Sequence, residues 1–250
     1  MADVTTASTL DPLVDRGELD EGLEVAAGLA DRLENEAVLD LAAVGAAQAR
    51  ILALRGQDAQ VAGSLAWLES TSRAAGSPDY AVTGLGSSAF ARAGLGQEDR
   101  AAALLADVEA TPGARENLNY VAYLPAMVRT ALGIGDPELA ERLDGGVEPR
   151  YPYAEHALVA ANAALAEGRG DPQAAADTYA EAADRWERFG VVPEHAFALL
   201  GQGRCLVGLG RPSEAAHVFR RAREIFDSLA AAPARSETDV LLQQATALSS

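Results

Sequence analysis

Apolar positions in this chain recur at helical spacing, in stretches broken by short polar turns that each carry a glycine. The turns are Arg16-Gly17-Glu18, Arg55-Gly56-Gln57, Leu95-Gly96-Gln97, Ile134-Gly135-Asp136, Arg169-Gly170-Asp171 and Leu209-Gly210-Arg211, with glycine separations of 39, 40, 39, 35 and 40 residues. A regular period of that length predicts a solenoid of helical hairpins. Columns counted from the glycines agree. Five residues on stand Gly22, Val61, Ala101, Ala140, Ala175 and Ala215; nine on, Ala26, Leu65, Leu105, Asp144, Tyr179 and Phe219; twelve on, Leu29, Leu68, Val108, Val147, Ala182 and Ala222. These offsets fall on one helical stripe, where small residues permit close approach and larger ones fill the gaps.

The fourth unit departs from the pattern. It has Asp144 in an apolar column, then Gly145-Gly146, Pro149 and Pro152, which predicts a short second helix and an irregular break over 144–152. Turn chemistry supports the other boundaries. Asp11-Pro12, Ser77-Pro78, Asp136-Pro137 and Asp171-Pro172 each put a capping side chain before a proline suited to the first helical position. Ser236-Glu-Thr-Asp239 reads as a capping-box variant opening a last helix over 237–248, which would cap the apolar end of the solenoid. No strand-length alternation occurs. The pattern therefore predicts an all-α chain forming one superhelical domain over 1–250, with 1–8 flexible.

A glycine followed by Ala at five, an aromatic at nine and Ala at twelve resembles the second half of the tetratricopeptide (TPR) repeat. The likeness is clearest in Gly170, Ala175, Tyr179, Ala182 and in Gly210, Ala215, Phe219, Ala222. The period is longer than the family's, and its closing proline is missing. The resemblance implies an α-solenoid of about six TPR-like hairpins with a C-terminal capping helix, binding protein or peptide on a concave face lined by first helices. Residues 157–232 also resemble the helical repeats at the C-terminus of large bacterial signalling regulators that carry an ATPase module with a nucleotide-cyclase or DNA-binding output domain. That likeness implies a sensor or scaffold segment of a bacterial signalling system.

Composition narrows the chemistry. The 250 residues include 55 alanines, 20 arginines and no lysine, with a formal net charge of −17. That balance disfavours direct nucleic-acid binding. Absence of lysine excludes a Walker A loop or a Schiff base on this chain. A lone Cys205 excludes a disulfide framework and a cysteine-rich zinc site. No export segment and no stretch near ~20 apolar residues is visible, so a cytoplasmic location without membrane insertion is expected.

Candidate binding residues come from the repeat columns. Six residues before the glycines stand Arg50, Phe90, Arg129, Ala164 and Arg204. Three arginines in equivalent places predict a basic ladder able to hold a carboxylate, phosphate or acidic peptide. The competing reading pairs them with Asp and Glu of neighbouring helices. Tyr120 and Tyr123, with Tyr151, Tyr153, Asn117 and Asn119, form either a recognition surface or filling beside the shortened fourth unit. Glu155-His156 and Glu194-His195 read as solvated helix starts rather than metal ligands, and Cys205 as a small core residue. No catalytic set, metal site or cofactor site is predicted. Homo-oligomerisation and small-molecule sensing are the alternative functions.

Overall fold

A computed structural model describes residues 9–33 and 38–249. Among these the chain is an all-α solenoid of six helical hairpins and a final helix. The hairpins are α1 (Leu10–Arg16) with α2 (Leu19–Leu33); α3 (Val38–Arg55) with α4 (Leu65–Ala74); α5 and α6 (Pro78–Tyr80, Gly86–Gly94) with α7 (Glu98–Ala110); α8 (Leu118–Gly133) with α9 (Pro137–Asp144); α10 (Pro152–Gly168) with α11 (Pro172–Phe189); and α12 (Val192–Gly208) with α13 (Pro212–Ser228). Helix α14 (Ala232–Leu248) closes the array. A π turn, Ala81–Leu85, joins α5 to α6, and a 3-10 turn, Asp58–Gln60, precedes α4. The backbone between α9 and α10 is non-helical. Residues 1–8, expected to be flexible, lie outside the described residues.

The periodic glycines are the turns inside the hairpins. Gly17, Gly56, Gly96, Gly135, Gly170 and Gly210 all have positive φ, between 69° and 79°, the left-handed conformation that ends a helix and lets the chain reverse. A second series turns the chain between hairpins, at Gly76, Gly113, Gly146 and Gly190, and its last member is Ala230 at φ 53°. An alanine there ends α13 at the cost of left-handed strain. It also moves the start of the last helix. The chain re-enters helix at Ala232 with Pro233 in the first turn, five residues before the position predicted from Ser236. Ser236–Asp239 consequently lie inside α14, where the Thr238 hydroxyl donates to the Ala234 carbonyl and Asp239 accepts from Arg223. Asp136 and Asp171 do cap α9 and α11, accepting from the Leu139 and Ala174 amides. Asp11 does not cap, because α1 already begins at Leu10.

First helices stack side by side on the inside, and second helices cover them. Ala161 and Ala163 of α10 and Ala175 and Ala182 of α11 are fully buried, so adjacent helices approach closely without interdigitating long side chains. Larger residues, Trp186, Phe219 and Phe226, fill the space between hairpins. Between the second and third hairpins a buried carboxylate, Glu69 of α4, ties the units by accepting from Arg92 of α6 at 2.8 Å and from Arg100 of α7.

The solenoid closes on itself. Helix α1 packs against α12, and α14 against α3. Both seams pass over a hairpin glycine. A Cβ on Gly17 would sit 2.8 Å from Leu229 Cδ2 and 3.3 Å from Val192 Cγ1, and one on Gly56 would sit 2.6 Å from Pro233 Cγ. Gly96 has the same backbone conformation with nothing within 4 Å.

Two substitutions follow from these turns. Gly96→Ala should cost about 1 kcal/mol, the left-handed penalty alone, whereas Gly56→Ala must also displace the rigid Pro233 ring and should cost about 2–3 kcal/mol. Urea unfolding measures both, and equal losses would contradict the closed seam. Ala230→Gly should stabilise the chain by about 0.5–1 kcal/mol, the relief of strain exceeding the added freedom of the unfolded state.

Candidate functional site

Closure turns the concave face into a half-open central chamber of about 540 Å³. The first helix of every hairpin contributes to its wall, from Val14 of α1 through Arg50 of α3, Phe90 of α6, Arg129 of α8, Ala164 of α10 and Arg204 of α12, with Glu237 from α14. The column members six residues before Gly56, Gly96, Gly135, Gly170 and Gly210 thus face one space, while Asp11, six before Gly17, is not part of its wall. The five do so because the column lies on the inward face of their helices.

The arginines do not stand as a free ladder. Arg129 donates from both terminal nitrogens to the two carboxylate oxygens of Glu194, at 2.6 and 2.8 Å, and its guanidinium lies 4.2 Å over the Phe197 ring. This bridge runs from α8 to α12, past α10, whose column member is the small Ala164. Arg204 donates through Nε and Nη2 to Glu167 at 2.7 and 2.9 Å and through Nη1 to Glu237 at 3.0 Å. Glu167 also accepts the Tyr179 hydroxyl at 2.7 Å. Arg50 donates to Asp11 at 3.2 Å and Asp15 at 3.4 Å, with its guanidinium 4.9 Å over Tyr123.

These pairings explain the local titration behaviour. Burial works against the charges of Arg50 and Arg204, yet the neighbouring anionic and phenolic groups outweigh it and both are held above the ordinary guanidinium value. Asp15 is pushed up by burial, and Arg50 offsets this only in part because Asp11 and Glu194 lie near. Tyr123 is pushed up to about 12, by burial first and then by Asp11.

Tyr120 and Tyr123 are buried, while Tyr151 and Tyr153 are half-buried. Tyr120 is fully buried and its hydroxyl donates to the Leu143 carbonyl at 2.7 Å, filling the space beside the short α9. Tyr123 is buried beneath Arg50 and stacks on Phe90 with ring centroids 6.1 Å apart. Neither offers a face to a ligand. Asn117 caps α8 through the Asn119 amide and donates to Asp79 at 2.6 Å. Glu194 departs from the solvated helix start expected of it: it is 5% exposed and holds Arg129. Cys205 is buried, which pushes its thiol up to about 12. Among the described residues no group of three or more His, Cys, Asp or Glu is placed to hold a metal ion, and no helix is long and apolar enough to cross a membrane.

Sequence reasoning missed the carboxylates that hold the arginines. Glu237 escaped because the last helix was started too late, and Asp11 because it was read as a cap. Glu167 had no motif; only its place three residues after Ala164, one turn along the same face, marks it as inward.

Residues 154–228 match the tetratricopeptide repeat family model, spanning α10 to α13, and repeats of that kind mediate protein–protein interaction. No curated protein matches the chain. One solved structure, described as the nearly identical TPR-like repeats of a "putative kinesin light chain" of Podosopora anserina, is 18% identical, with a TM-score of 0.45, covering 73% of this chain and 92% of that one.

Removing one partner of the bridge across the chamber should be costly, since the other charge is left largely desolvated. Glu194→Gln should lose about 2–3 kcal/mol, and Arg129→Met with Glu194→Leu together much less. Denaturant unfolding of the cycle checks this. Two histidines give a separate pH prediction. Burial first holds both His156 and His195 below the ordinary imidazole value; Arg185 adds to this for His156, and for His195 Arg221 adds while Glu187 opposes. The unfolded chain therefore takes up protons first, near pH ~6.5. Stability should fall as pH drops through that value, and a His156→Gln/His195→Gln variant should lose less between pH 7.5 and 5.5.

Proposed function

We propose that the protein is an interaction module that receives a segment of a partner protein in the central chamber. The observation that carries this reading is the convergence of one repeat column, Arg50, Phe90, Arg129, Ala164 and Arg204, from five successive first helices onto a single space of ligand size. The walls combine apolar and aromatic surface, from Leu54, Phe90, Phe197 and Leu200, with rigid ion pairs, the mixture that orients a bound chain. We place this module as a non-catalytic regulatory segment of a bacterial signalling system in the cytoplasm, a setting supported by the resemblance of residues 157–232 to signalling-regulator repeats. The acidic ligand expected of a free arginine ladder loses its support, because the guanidiniums already hold carboxylates.

A second reading, small-molecule sensing, is favoured by closure itself, which leaves less room for a long extended chain than an open groove would. Photocrosslinking separates the readings. A benzophenone side chain replacing Phe90 or Phe197 should trap a partner protein in cells of origin, while the same group replacing the outward Trp67 should not. Trapping from Trp67 alone would place the partner outside the chamber and overturn the proposal. Trapping of the chain by itself would replace the proposal with self-association. No trapped protein, with thermal stabilisation by a metabolite mixture, would replace it with small-molecule sensing.

A further inference from the structure

We infer that the segment taken into the chamber is basic, an arginine- or lysine-bearing stretch of the partner; this rests on the chamber being the binding site. The first ground is the state of the guanidiniums. Arg204 is engaged through all three nitrogens, and Arg129 and Arg50 through both terminal nitrogens. An incoming carboxylate or phosphate would have to break a bidentate pair that the fold has already assembled, and would leave a part-buried glutamate without its partner.

The second ground is the charge count around the space. Three arginines and three carboxylates, Glu167, Glu194 and Glu237, line the space, and two further carboxylates outside the lining, Asp11 and Asp15, hold Arg50. The spare capacity is that of an acceptor. Only Oε1 of Glu237 is used by Arg204, and this side chain is 48% exposed at the chamber wall. The chain as a whole carries −17, so its field draws a cation in and repels an anion.

The third ground is the shape of the wall. Leu54, Phe90, Phe197 and Leu200 supply apolar surface in the same space as Glu237. A lysine or arginine side chain needs that combination, with its methylene stem against hydrocarbon and its head on a carboxylate. A volume of about 540 Å³ accommodates such a side chain together with its neighbours in a short peptide.

The test is selection of a random heptapeptide library on the full chain, keeping sequences whose binding is lost in Thr130→Trp, a substitution that fills the chamber from its partly exposed wall. Chamber-dependent sequences should be enriched in Arg and Lys, bind less tightly as ionic strength rises, and bind about tenfold more weakly to Glu237→Gln. Unfolding of both variants at the wild-type denaturant midpoint confirms that the fold is intact. Chamber-dependent sequences rich in Asp and Glu, or basic ones indifferent to Glu237→Gln, would overturn this inference and leave the chamber as the binding site. Recovery of no chamber-dependent sequence would overturn both.

Discussion

The packing of α14 on α3 and of α1 on α12 is the constraint on which the rest of this structure depends. Without it the first helices would line an open, extended groove, and the wall that carries Arg50, Arg129 and Arg204 would face water. With it, helices far apart in the chain face each other across one space. Arg129 reaches past α10 to Glu194, 65 residues on, while Arg204 pairs with Glu167 and Glu237 on the neighbouring helices α10 and α14. The seam tolerates this approach because its contact points are glycines, whose missing Cβ leaves room for Leu229 and Pro233.

The ion pairs at the chamber are costly to assemble and costly to break. Each takes an arginine and a carboxylate from water, and the return comes from bidentate geometry, from stacking on Phe197 or Tyr123, and from shared acceptors such as Glu167. Their contribution is better described as register than as net stability: Glu194 specifies which face of α12 opposes α8. The same pairs rewrite the recognition chemistry. Arginines whose terminal nitrogens are all engaged by carboxylates offer an anion no free donor pair, whereas Glu237 keeps a carboxylate oxygen that Arg204 does not use.

Much of the fold was legible because backbone rules act locally. A glycine every 35 to 40 residues reads as a hairpin turn since few other residues accept positive φ, and small residues at fixed offsets read as helix–helix contacts. The column that faces inward was equally visible, because helical periodicity gives direction as well as spacing. What local rules do not carry is long-range pairing. Nothing near Glu194 marks it as the partner of Arg129, and nothing near Asp11 distinguishes a cap from a carboxylate aimed at Arg50. The shifted start of α14 has a different cause: the turn before it uses Ala230 where every other hairpin junction at positive φ uses glycine, so the usual marker was missing.

The most direct test of this account is the distance across the α3–α14 seam in solution. Spin labels on Gln57→Cys and Ser236→Cys, both exposed positions on the two sides of the Gly56–Pro233 contact, can be read by double electron–electron resonance, with buried Cys205 left unlabelled. A closed solenoid predicts one narrow distribution at the short end of the measurable range. A long or broad distribution would show an open superhelix, and the chamber with its paired arginines would not exist as described.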